Sequence, residues 1–544
     1  MEFEMDNTRK SGILLHPTSL PGTPGIGTIG KEAYRFVDWL SSAKQSLWQI
    51  LPLGPTGYGD SPYASFSTFA GNPLIVDIDM LVESGYLSGE QALPPEFIRN
   101  EGYVDFGAVV FWKIPLLKLA ASQFLDSAKK EDRTRYEAFK NDNAGWLDNY
   151  SIFMSIKEYY DEEARKADVQ GAMWNNYWPR ELAIRDPKAV SDWHSLHVRE
   201  AEVHKVIQFF FFTQWRALKK YANEQGVSII GDIPIFVAPD SADVWANQRL
   251  FQLDENGAPE VVAGVPPDYF SATGQLWGNP LYDWDEMQKD KYRWWIDRIK
   301  GTLGMVDYIR IDHFRGFEAY WAIPFGEETA INGEWIPGPG SALFEAIREE
   351  LGQGFILAED LGLITEGVRK LRDDFGLPGM KVLQFAFDVN EAGKDGFVNA
   401  FLPHMYDRNC VVYTGTHDNE TMQGWIDAAS PEEKELVTRY LGGNVSETLL
   451  THELIRLAMA SVADYAVFPL QDIFAVGSEG RMNAPSTTGG INWQWRMSEK
   501  HFDEKAAQGL KEMSRLYARN MGWKGAAKWE GRFAVSSIQK AIRL

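Results

Sequence analysis

Apolar, β-branched runs recur along the chain and alternate with segments whose apolar positions repeat at helical spacing. Such runs are typical of strands buried on both faces of a parallel sheet. The runs that predict strands lie at residues 11–16, 47–53, 227–235, 305–316, 354–360, 381–385, 410–418 and 465–473. Eight strands alternating with helices predict an α/β fold, a (β/α)8 TIM barrel with inserted subdomains.

The pattern changes between about residues 88 and 224, where Leu, Lys, Glu, Trp and Ala recur at helical spacing. We expect a mainly helical subdomain at 88–224, inserted into a barrel formed by residues 1–87 and 225–544. Two loop insertions are expected in the second part of the barrel. The one at about 236–284 is rich in Pro, Gly, Asn and aromatic residues and is predicted to be irregular, whereas the one at 318–340 has β character.

Charge and cysteine content narrow the class of protein. The formal net charge is −22, which disfavours nucleic acid and anionic membranes as partners. Cys410 is the single cysteine, so an intrachain disulfide and a multi-thiolate metal site are excluded. Residues 1–6 lack the features of a secretion signal, and no apolar run approaches the roughly 18 residues of a membrane span. A soluble, cytoplasmic protein is expected.

Aromatic residues are unusually frequent, with 20 Trp, 21 Tyr and 31 Phe. Many of them lie in Gly- and Pro-rich loops such as 58–63 and 268–277. A flat ring in a loop suits the apolar face of a sugar as well as it suits a hydrophobic core. A formal G-x-G-x-x-G match at 25–30 is better explained as loop glycines. It does not directly follow the strand, and the next strand lacks the acidic residue that would hold a ribose.

Carboxylates gather at the ends of several predicted strands, which is where active sites of (β/α)8 barrels lie. Arg310 and Asp312 are two apart on one strand and therefore share a face, so the cation keeps the carboxylate charged. The other strand-end candidates are Asp232, either Glu359 or Asp360, and Asp418, accompanied by His16, His313 and His417.

Two kinds of chemistry fit these residues. One is a divalent metal site, although neither H-x-H nor H-E-x-x-H spacing occurs. The other is glycosyl transfer with retention, in which one carboxylate attacks the anomeric carbon and a protonated carboxylic acid assists the leaving oxygen. A third carboxylate stabilises the cationic transition state. The residues favour glycosyl transfer.

Several motifs, in order along nearly the whole chain, resemble those of the 4-α-glucanotransferases. This is the amylomaltase or disproportionating-enzyme family, glycoside hydrolase family 77 of the α-amylase clan. The motifs are ILLHPTSLP at 13–21, WQILPL at 48–53, GDSPY at 59–63, GDIPIF at 231–236, RIDHFRG at 310–316, AEDLG at 358–362, THDNE at 416–420, NAP at 483–485 and NWQWR at 492–496.

The resemblance implies roles for individual residues. Asp312 would be the nucleophile, Glu359 the general acid/base and Asp418 the transition-state stabiliser, so the family motif selects Glu359 over Asp360. The residues that would bind substrate are Tyr63, Asp232, Tyr269, Phe270, Gln275, Trp277, Arg310, His313 and His417. Among these, Tyr269, Phe270, Gln275 and Trp277 match a mobile loop over the acceptor side.

The resemblance also implies an activity. A segment of an α-1,4-glucan would move to Asp312 and then to the 4-hydroxyl of another glucan or of glucose, with no cofactor and no metal. The expected partners are maltooligosaccharides and amylose, and the oligomeric state is left open. Two alternatives remain at this point, an α-1,4-glucan hydrolase of the same clan and a non-catalytic glucan-binding protein.

Overall fold

A computed structural model describes residues 9–22, 24–57, 59–98, 102–267, 271–388, 399–443, 445–487 and 489–519. The strands within these ranges are β1 (Lys10–Leu14), β2 (Leu47–Gln49), β3 (Ser228–Pro234), β4 (Val261–Val265), β5 (Gln275–Pro280), β6 (Tyr308–Asp312), β7 (Ala319–Pro324), β8 (Glu334–Pro337), β9 (Ile356–Ala358), β10 (Gly379–Val382), β11 (Cys410–Tyr413) and β12 (Tyr465–Pro469).

The helices in the same ranges include several of only one turn. They are α1 (Lys31–Ser42), α2 (Ile78–Glu83), α3 (Phe106–Ser127), α4 (Lys130–Lys166), α5 (Trp174–Tyr177), α6 (Arg180–Ala183), α7 (Pro187–Leu196), α8 (Val198–Glu224), α9 (Ala242–Ala246), α10 (Trp284–Lys289), α11 (Arg293–Met305), α12 (Ser341–Leu351), α13 (Glu366–Asp374), α14 (Met422–Ala428), α15 (Pro431–Tyr440), α16 (Leu450–Ala460), α17 (Leu470–Ile473) and α18 (Glu504–Leu516).

Eight strands form one parallel sheet in the order β10-β11-β12-β1-β2-β3-β6-β9, with each strand beside its neighbour around a barrel. The predicted (β/α)8 barrel is therefore confirmed. The barrel closes between β9 and β10, where the described residues form one backbone hydrogen bond, from the Ala358 amide to the Pro378 carbonyl (2.8 Å). We call this junction the seam.

The strands are shorter than the apolar runs that predicted them. The run at 47–53 contributes three residues to the sheet, and the run at 410–418 contributes four. The remaining residues of each run extend beyond the strand at the carboxyl edge of the sheet, where, for example, Thr416 N donates to Asn419 Oδ1 (2.9 Å). Candidate side chains such as Asp418 therefore lie in turns beyond the strand rather than on it.

A second sheet stands beside the barrel and corrects the expectation of an irregular segment at 236–284. That segment contains β4 and β5, which pair antiparallel with each other, and β4 also pairs with β7. The sheet has the order β5-β4-β7-β8, so strands from 236–284 and from 318–340 form one structure. Gln275 and Trp277 lie on its edge strand β5.

The predicted helical segment contains α3, α4 and α8, and α8 packs against both of the other two. By length and composition, α3 is a helix that could cross a membrane. It carries a fully buried lysine, however, since Lys113 lies inside the protein and donates from Nζ to the Leu74 carbonyl (2.7 Å). Helix α3 thus buries one face, which includes Lys113, against the protein, while Val110, Phe111 and Leu119 are exposed. The domain boundaries at 87 and 224 stay a prediction.

Helix α8 connects this segment to the strand that carries Asp312. Trp215 is fully buried and donates from Nε1 to the Met305 carbonyl (2.8 Å), at the end of α11. Lys219 donates from Nζ to the carbonyls of Leu303 (3.1 Å) and Val306 (2.7 Å). These bonds fix the turn that leads into β6.

Candidate active site

Arg310 lies at the centre of the candidate site and bridges two carboxylates. Its Nη1 is 2.6 Å from Asp232 Oδ2 and its Nη2 is 2.7 Å from Asp312 Oδ1. Asp232 and Arg310 are paired in register on β3 and β6, while Arg310 and Asp312 share one face of β6 as the alternation predicted. Burial lowers the pKa of Arg310, but Asp232 and Asp312 outweigh that effect and raise it well above its usual value.

Tyr63 attaches a loop to this carboxylate pair. Its hydroxyl donates to Asp232 Oδ2 (2.8 Å), and its ring stacks on His417 with centroids 5.0 Å apart. Trp493 packs against both rings, at 5.8 Å from Tyr63 and 5.9 Å from His417. Asp232 Oδ1 is buried and makes no hydrogen bond to the described residues, so it is free to accept one from a ligand hydroxyl.

Glu359 follows β9 and is held by two backbone amides. His313 N donates to Oε2 (2.7 Å) and Leu361 N donates to Oε1 (2.8 Å). Burial and the charge of Asp312 raise the pKa of the Glu359 carboxyl to about 7, against the opposing effect of Arg310. At neutral pH a large fraction of Glu359 therefore carries a proton.

Asp360 points away from this carboxylate group. Its Oδ2 pairs with Arg372 Nη1 (2.6 Å) and its Oδ1 accepts from Met380 N (2.7 Å), which joins β9 to β10. The residues alone left Glu359 and Asp360 as alternatives. The contacts of Asp360 are structural, and those of Glu359 place it beside the His313 backbone at the end of β6.

Asp418 lies in the turn after β11 and is held by polar groups. Asn483 donates from Nδ2 to Oδ1 (2.7 Å), and His417 Nε2 lies 3.3 Å from Oδ2. Although burial raises the pKa of Asp418, His417 and Asn483 lower it to about 2. Burial lowers the pKa of His417, but Asp418 reverses this and the pKa is raised. Asp418 is thus a permanent anion at neutral pH.

His313 ends β6 in a left-handed conformation, with φ of 52°. The next turn closes over Gly316, where a Cβ would lie 3.1 Å from the His313 ring. The His313 Nε2 is buried without a hydrogen bond to the described residues, and burial lowers the pKa of the imidazole to about 4. A neutral ring with a free nitrogen can bond to a ligand hydroxyl.

Trp277 brings the second sheet to the same site. Its ring meets the His313 ring edge to face with centroids 4.8 Å apart, and its Nε1 donates to Gln275 Oε1 (3.2 Å). The Trp277 side chain stays partly exposed. Tyr269 and Phe270, the other two residues assigned to the acceptor side, lie outside the described residues.

Ten of the twelve residues assigned to catalysis or substrate binding lie among the residues that the structure describes. Two further residues, Asn483 and Trp493, contact them and were missed by sequence reasoning. Asn483 and Trp493 lie in the C-terminal motifs 483–485 and 492–496 but received no role. Trp493 adopts a left-handed φ of 66°, which is costly for a bulky residue and is concentrated at functional sites. Within the described ranges, no group of three or more His, Cys, Asp or Glu side chains is placed to hold a metal ion.

The barrel fold, with Asp312, Glu359 and Asp418 at the carboxyl ends of its strands, is that of a (β/α)8-barrel carbohydrate-active enzyme. Comparison with known proteins names the family. Residues 15–501 match the family model of glycoside hydrolase family 77, described as 4-alpha-glucanotransferase, and the chain belongs to that family.

The relatives match over nearly their whole length. A 4-alpha-glucanotransferase of Thermus thermophilus is 48% identical over 521 residues, covering 95% of this chain and 100% of the relative. One from Synechocystis is 46% identical over 523 residues, covering 95% and 99%. An amylomaltase from Streptococcus agalactiae, solved in complex with acarbose, has a TM-score of 0.88 and 38% identity, and the match covers 94% of this chain and 99% of that one.

Proposed function

We propose that this chain acts as a 4-α-glucanotransferase that moves a segment of an α-1,4-glucan to the 4-hydroxyl of another glucan or of glucose. The observation that carries the proposal is the different surroundings of two carboxyl groups, one paired with a guanidinium and the other held by the backbone amides of His313 and Leu361. Arg310 pairs with Asp312, whereas burial raises the pKa of Glu359 to about 7. A retaining mechanism needs one ionised and one protonated carboxyl group side by side. The names of the relatives agree with this activity.

The reaction then takes two balanced steps. The Asp312 carboxylate forms a bond to the anomeric carbon while the bond to the leaving oxygen breaks, and Glu359 gives its proton to that oxygen. In the second step Glu359 takes the proton of the incoming 4-hydroxyl, whose oxygen displaces Asp312 from the anomeric carbon. Asp418 stays ionised and faces the positive charge that develops in both transition states.

The remaining candidates bind the sugars. His313, with its free nitrogen, and Asp232, with its free oxygen, can bond to hydroxyls of the sugar at the cleaved bond. Tyr63 and His417 flank the same sugar, and their stacked rings offer an apolar face. Tyr269, Phe270, Gln275 and Trp277 are assigned to the acceptor. Acceptor binding that excludes water favours transfer over hydrolysis, because water greatly outnumbers sugar in solution.

One incubation separates the proposal from its alternatives. Pure protein is mixed with maltotriose and the products are separated by chromatography. Glucose with a ladder of longer chains is the expected result. Glucose and maltose alone would show a hydrolase, and unchanged maltotriose would show a binding protein.

We further propose a cytoplasmic role in maltooligosaccharide, starch or glycogen metabolism. The acidic composition and the burial of Lys113 within helix α3 support a soluble protein. Fractionation of cells that produce the full chain tests this location, and recovery of the protein with the membrane fraction would contradict it.

A further inference from the structure

Three segments that carry proposed substrate contacts converge on one side chain of helix α11. They are the loop 54–71 with Tyr63, the end of β3 with Asp232, and the end of β5, the strand that carries Gln275 and Trp277. We propose that Arg298 is a positioning residue that sets the relative placement of these segments and thereby controls how well the site transfers. The inference rests on the proposed transferase function.

The contacts of Arg298 reach all three segments. Its Nη2 donates to the Pro234 carbonyl (2.6 Å) and its Nη1 to the Ile235 carbonyl (3.1 Å), directly after Asp232 and Ile233. Its Nε donates to Thr68 Oγ1 (2.7 Å) in the loop that carries Tyr63. Nη1 also reaches the Tyr282 hydroxyl (3.3 Å), two residues beyond β5.

The shape of arginine suits this junction. Its planar group offers donors in fixed directions, which one ammonium group cannot do. Arg298 is 1% exposed, and its guanidinium lies over the rings of Trp295 (4.7 Å) and Trp294 (5.6 Å). Such packing leaves the guanidinium little freedom to turn, so the directions of its N–H groups fix the positions of the four acceptors in the three segments.

Further hydrogen bonds link the acceptors of Arg298 to one another and to their neighbours. Tyr282 donates its hydroxyl to the same Ile235 carbonyl (2.8 Å), and Asp243 Oδ2 accepts from Thr68 N (2.7 Å). The Tyr63–Asp232 hydrogen bond then joins the loop to the strand at the candidate site itself. A cavity of about 50 Å³ is lined by Tyr63, Asp232, Asp243 and Arg298, so a shorter side chain at 298 leaves these groups room to move.

The competing explanation is that Arg298 only stabilises the fold. Arg519 provides a matched control, since it is also 1% exposed and also donates to backbone carbonyls. Its acceptors include Lys10 (2.9 Å), Met459 (2.9 Å) and Ala463 (3.1 Å). Lys10 begins β1, so Arg519 lies at the end of the barrel opposite to the candidate site.

The experiment compares Arg298→Lys, Arg519→Lys and the unchanged full chain on maltotriose, well below each melting temperature. The kcat, the KM and the ratio of hydrolysis to transfer are measured. That ratio does not depend on how much protein is folded. For Arg298→Lys we expect kcat/KM to fall about 10- to 100-fold, because small misplacements near reacting groups have effects of this size. The hydrolysis-to-transfer ratio should rise several-fold.

Arg519→Lys should lower the melting temperature and leave both the ratio and the KM unchanged within about twofold. An unchanged ratio and an unchanged kcat/KM in Arg298→Lys would overturn the proposal, as would an equal rise of the ratio in both variants. If Arg298→Lys does not fold, Thr68→Val removes one acceptor at nearly constant volume, and a ratio unchanged by that variant would overturn the proposal. A wild-type chain that only hydrolyses would refute the transferase function, while the effect of Arg298→Lys on kcat/KM would still test the positioning role.

Discussion

At the scale of single residues, the site shows how one functional group acquires different proton affinities. Glu359 and Asp418 are both carboxylates at the carboxyl end of the barrel. Burial next to Asp312 raises the pKa of Glu359 to about 7, whereas His417 and Asn483 overcome burial and lower the pKa of Asp418 to about 2. Environment thus separates a proton donor from a permanent charge, and that separation gives each proposed role a test.

The first prediction concerns the nucleophile. Asp312→Asn should lower turnover on maltotriose by about 10⁴-fold or more, since the amide cannot form the glycosyl intermediate but changes the side-chain volume little. Binding of a longer maltooligosaccharide, measured by calorimetry, should persist. Near-normal turnover would remove Asp312 from the role proposed for it.

The second prediction concerns the proton donor. Glu359→Gln should slow transfer from ordinary glucans by about 10²- to 10⁴-fold, the usual contribution of general acid catalysis. A donor whose leaving group needs no proton should still form the intermediate, which mass spectrometry of the intact protein can detect. Equal loss with both kinds of donor would contradict the acid role.

The third prediction concerns pH. The first step needs protonated Glu359, and its pKa of about 7 means that this form declines as pH rises through 7. We expect kcat/KM to fall about tenfold per pH unit above that value. Asp418, with a pKa of about 2, stays ionised across the same range. In Glu359→Gln with an activated donor the alkaline decline should be absent, and its persistence would assign the decline to another group.

Sequence reasoning reached some of these residues and missed others for physical reasons. The alternation along β6 was enough to place Arg310 and Asp312 on one face. No local rule distinguishes Glu359 from Asp360, because their roles depend on Arg372 and on the His313 amide, which other elements supply. Asn483 was missed because it lies 65 residues from its partner Asp418 and has no spacing signal of its own.

At the scale of elements, the second sheet was the part of the fold that the sequence did not predict. The sequence indicated β character at 318–340 but no strand within 236–284, because the apolar run of β4 is only five residues long and β5 carries Gly, Asn and Pro without alternation. The pairing of β4 with β7 joins residues about 60 apart, which a local pattern cannot reveal. All eight barrel strands were predicted, because burial on both faces imposes continuous apolar runs. The position of β10 was displaced, however, since the run at 381–385 shares two residues with Gly379–Val382 and Leu383–Ala386 forms a 3-10 helix.

The fourth prediction belongs to this sheet. Trp277 on β5 contacts His313 and remains partly exposed, so it can meet an acceptor sugar. Trp277→Ala should raise glucose release by water relative to transfer by several-fold, since a stacking face and a barrier to water are both lost. The melting temperature should change little. A large fall of the melting temperature, with hydrolysis and transfer reduced equally, would make Trp277 a packing residue.

At the scale of the whole molecule, a buried lysine side chain connects the helical segment to the barrel. Lys113 of helix α3 donates to the Leu74 carbonyl, and burial lowers the pKa of its ammonium to about 7. Between pH 7 and the ordinary lysine pKa near 10.4, the unfolded chain binds more protons than the folded chain. The free energy of unfolding therefore gains a contribution from Lys113 that rises with pH over this window.

The fifth prediction follows from that sign. Lys113→Met removes the titrating group. The free energy of unfolding of the variant minus that of the wild type should therefore have its highest value at pH 7 and below. The relative value should decline by several kcal/mol as pH rises towards about 10, at 1.36 kcal/mol per pKa unit. Denaturant unfolding across this range measures it, with exposed Lys220→Met as the control. A difference that does not vary with pH would show that Lys113 is charged in the folded protein.

The seam described above has a dynamic consequence for catalysis. Asp312 and Glu359 lie on the same side of it, because β6 and β9 share a hydrogen-bonded ladder and Glu359 N also bonds to the Ile311 carbonyl (3.0 Å). Asp418 follows β11, on the other side. Local opening of the barrel should begin at the junction with the fewest ladder bonds, so backbone amides of Ala358 and Met380 should exchange with deuterium before those of β6. We expect such opening to change the position of Asp418 relative to Asp312 and Glu359, because the ladder between β6 and β9 holds the latter two together.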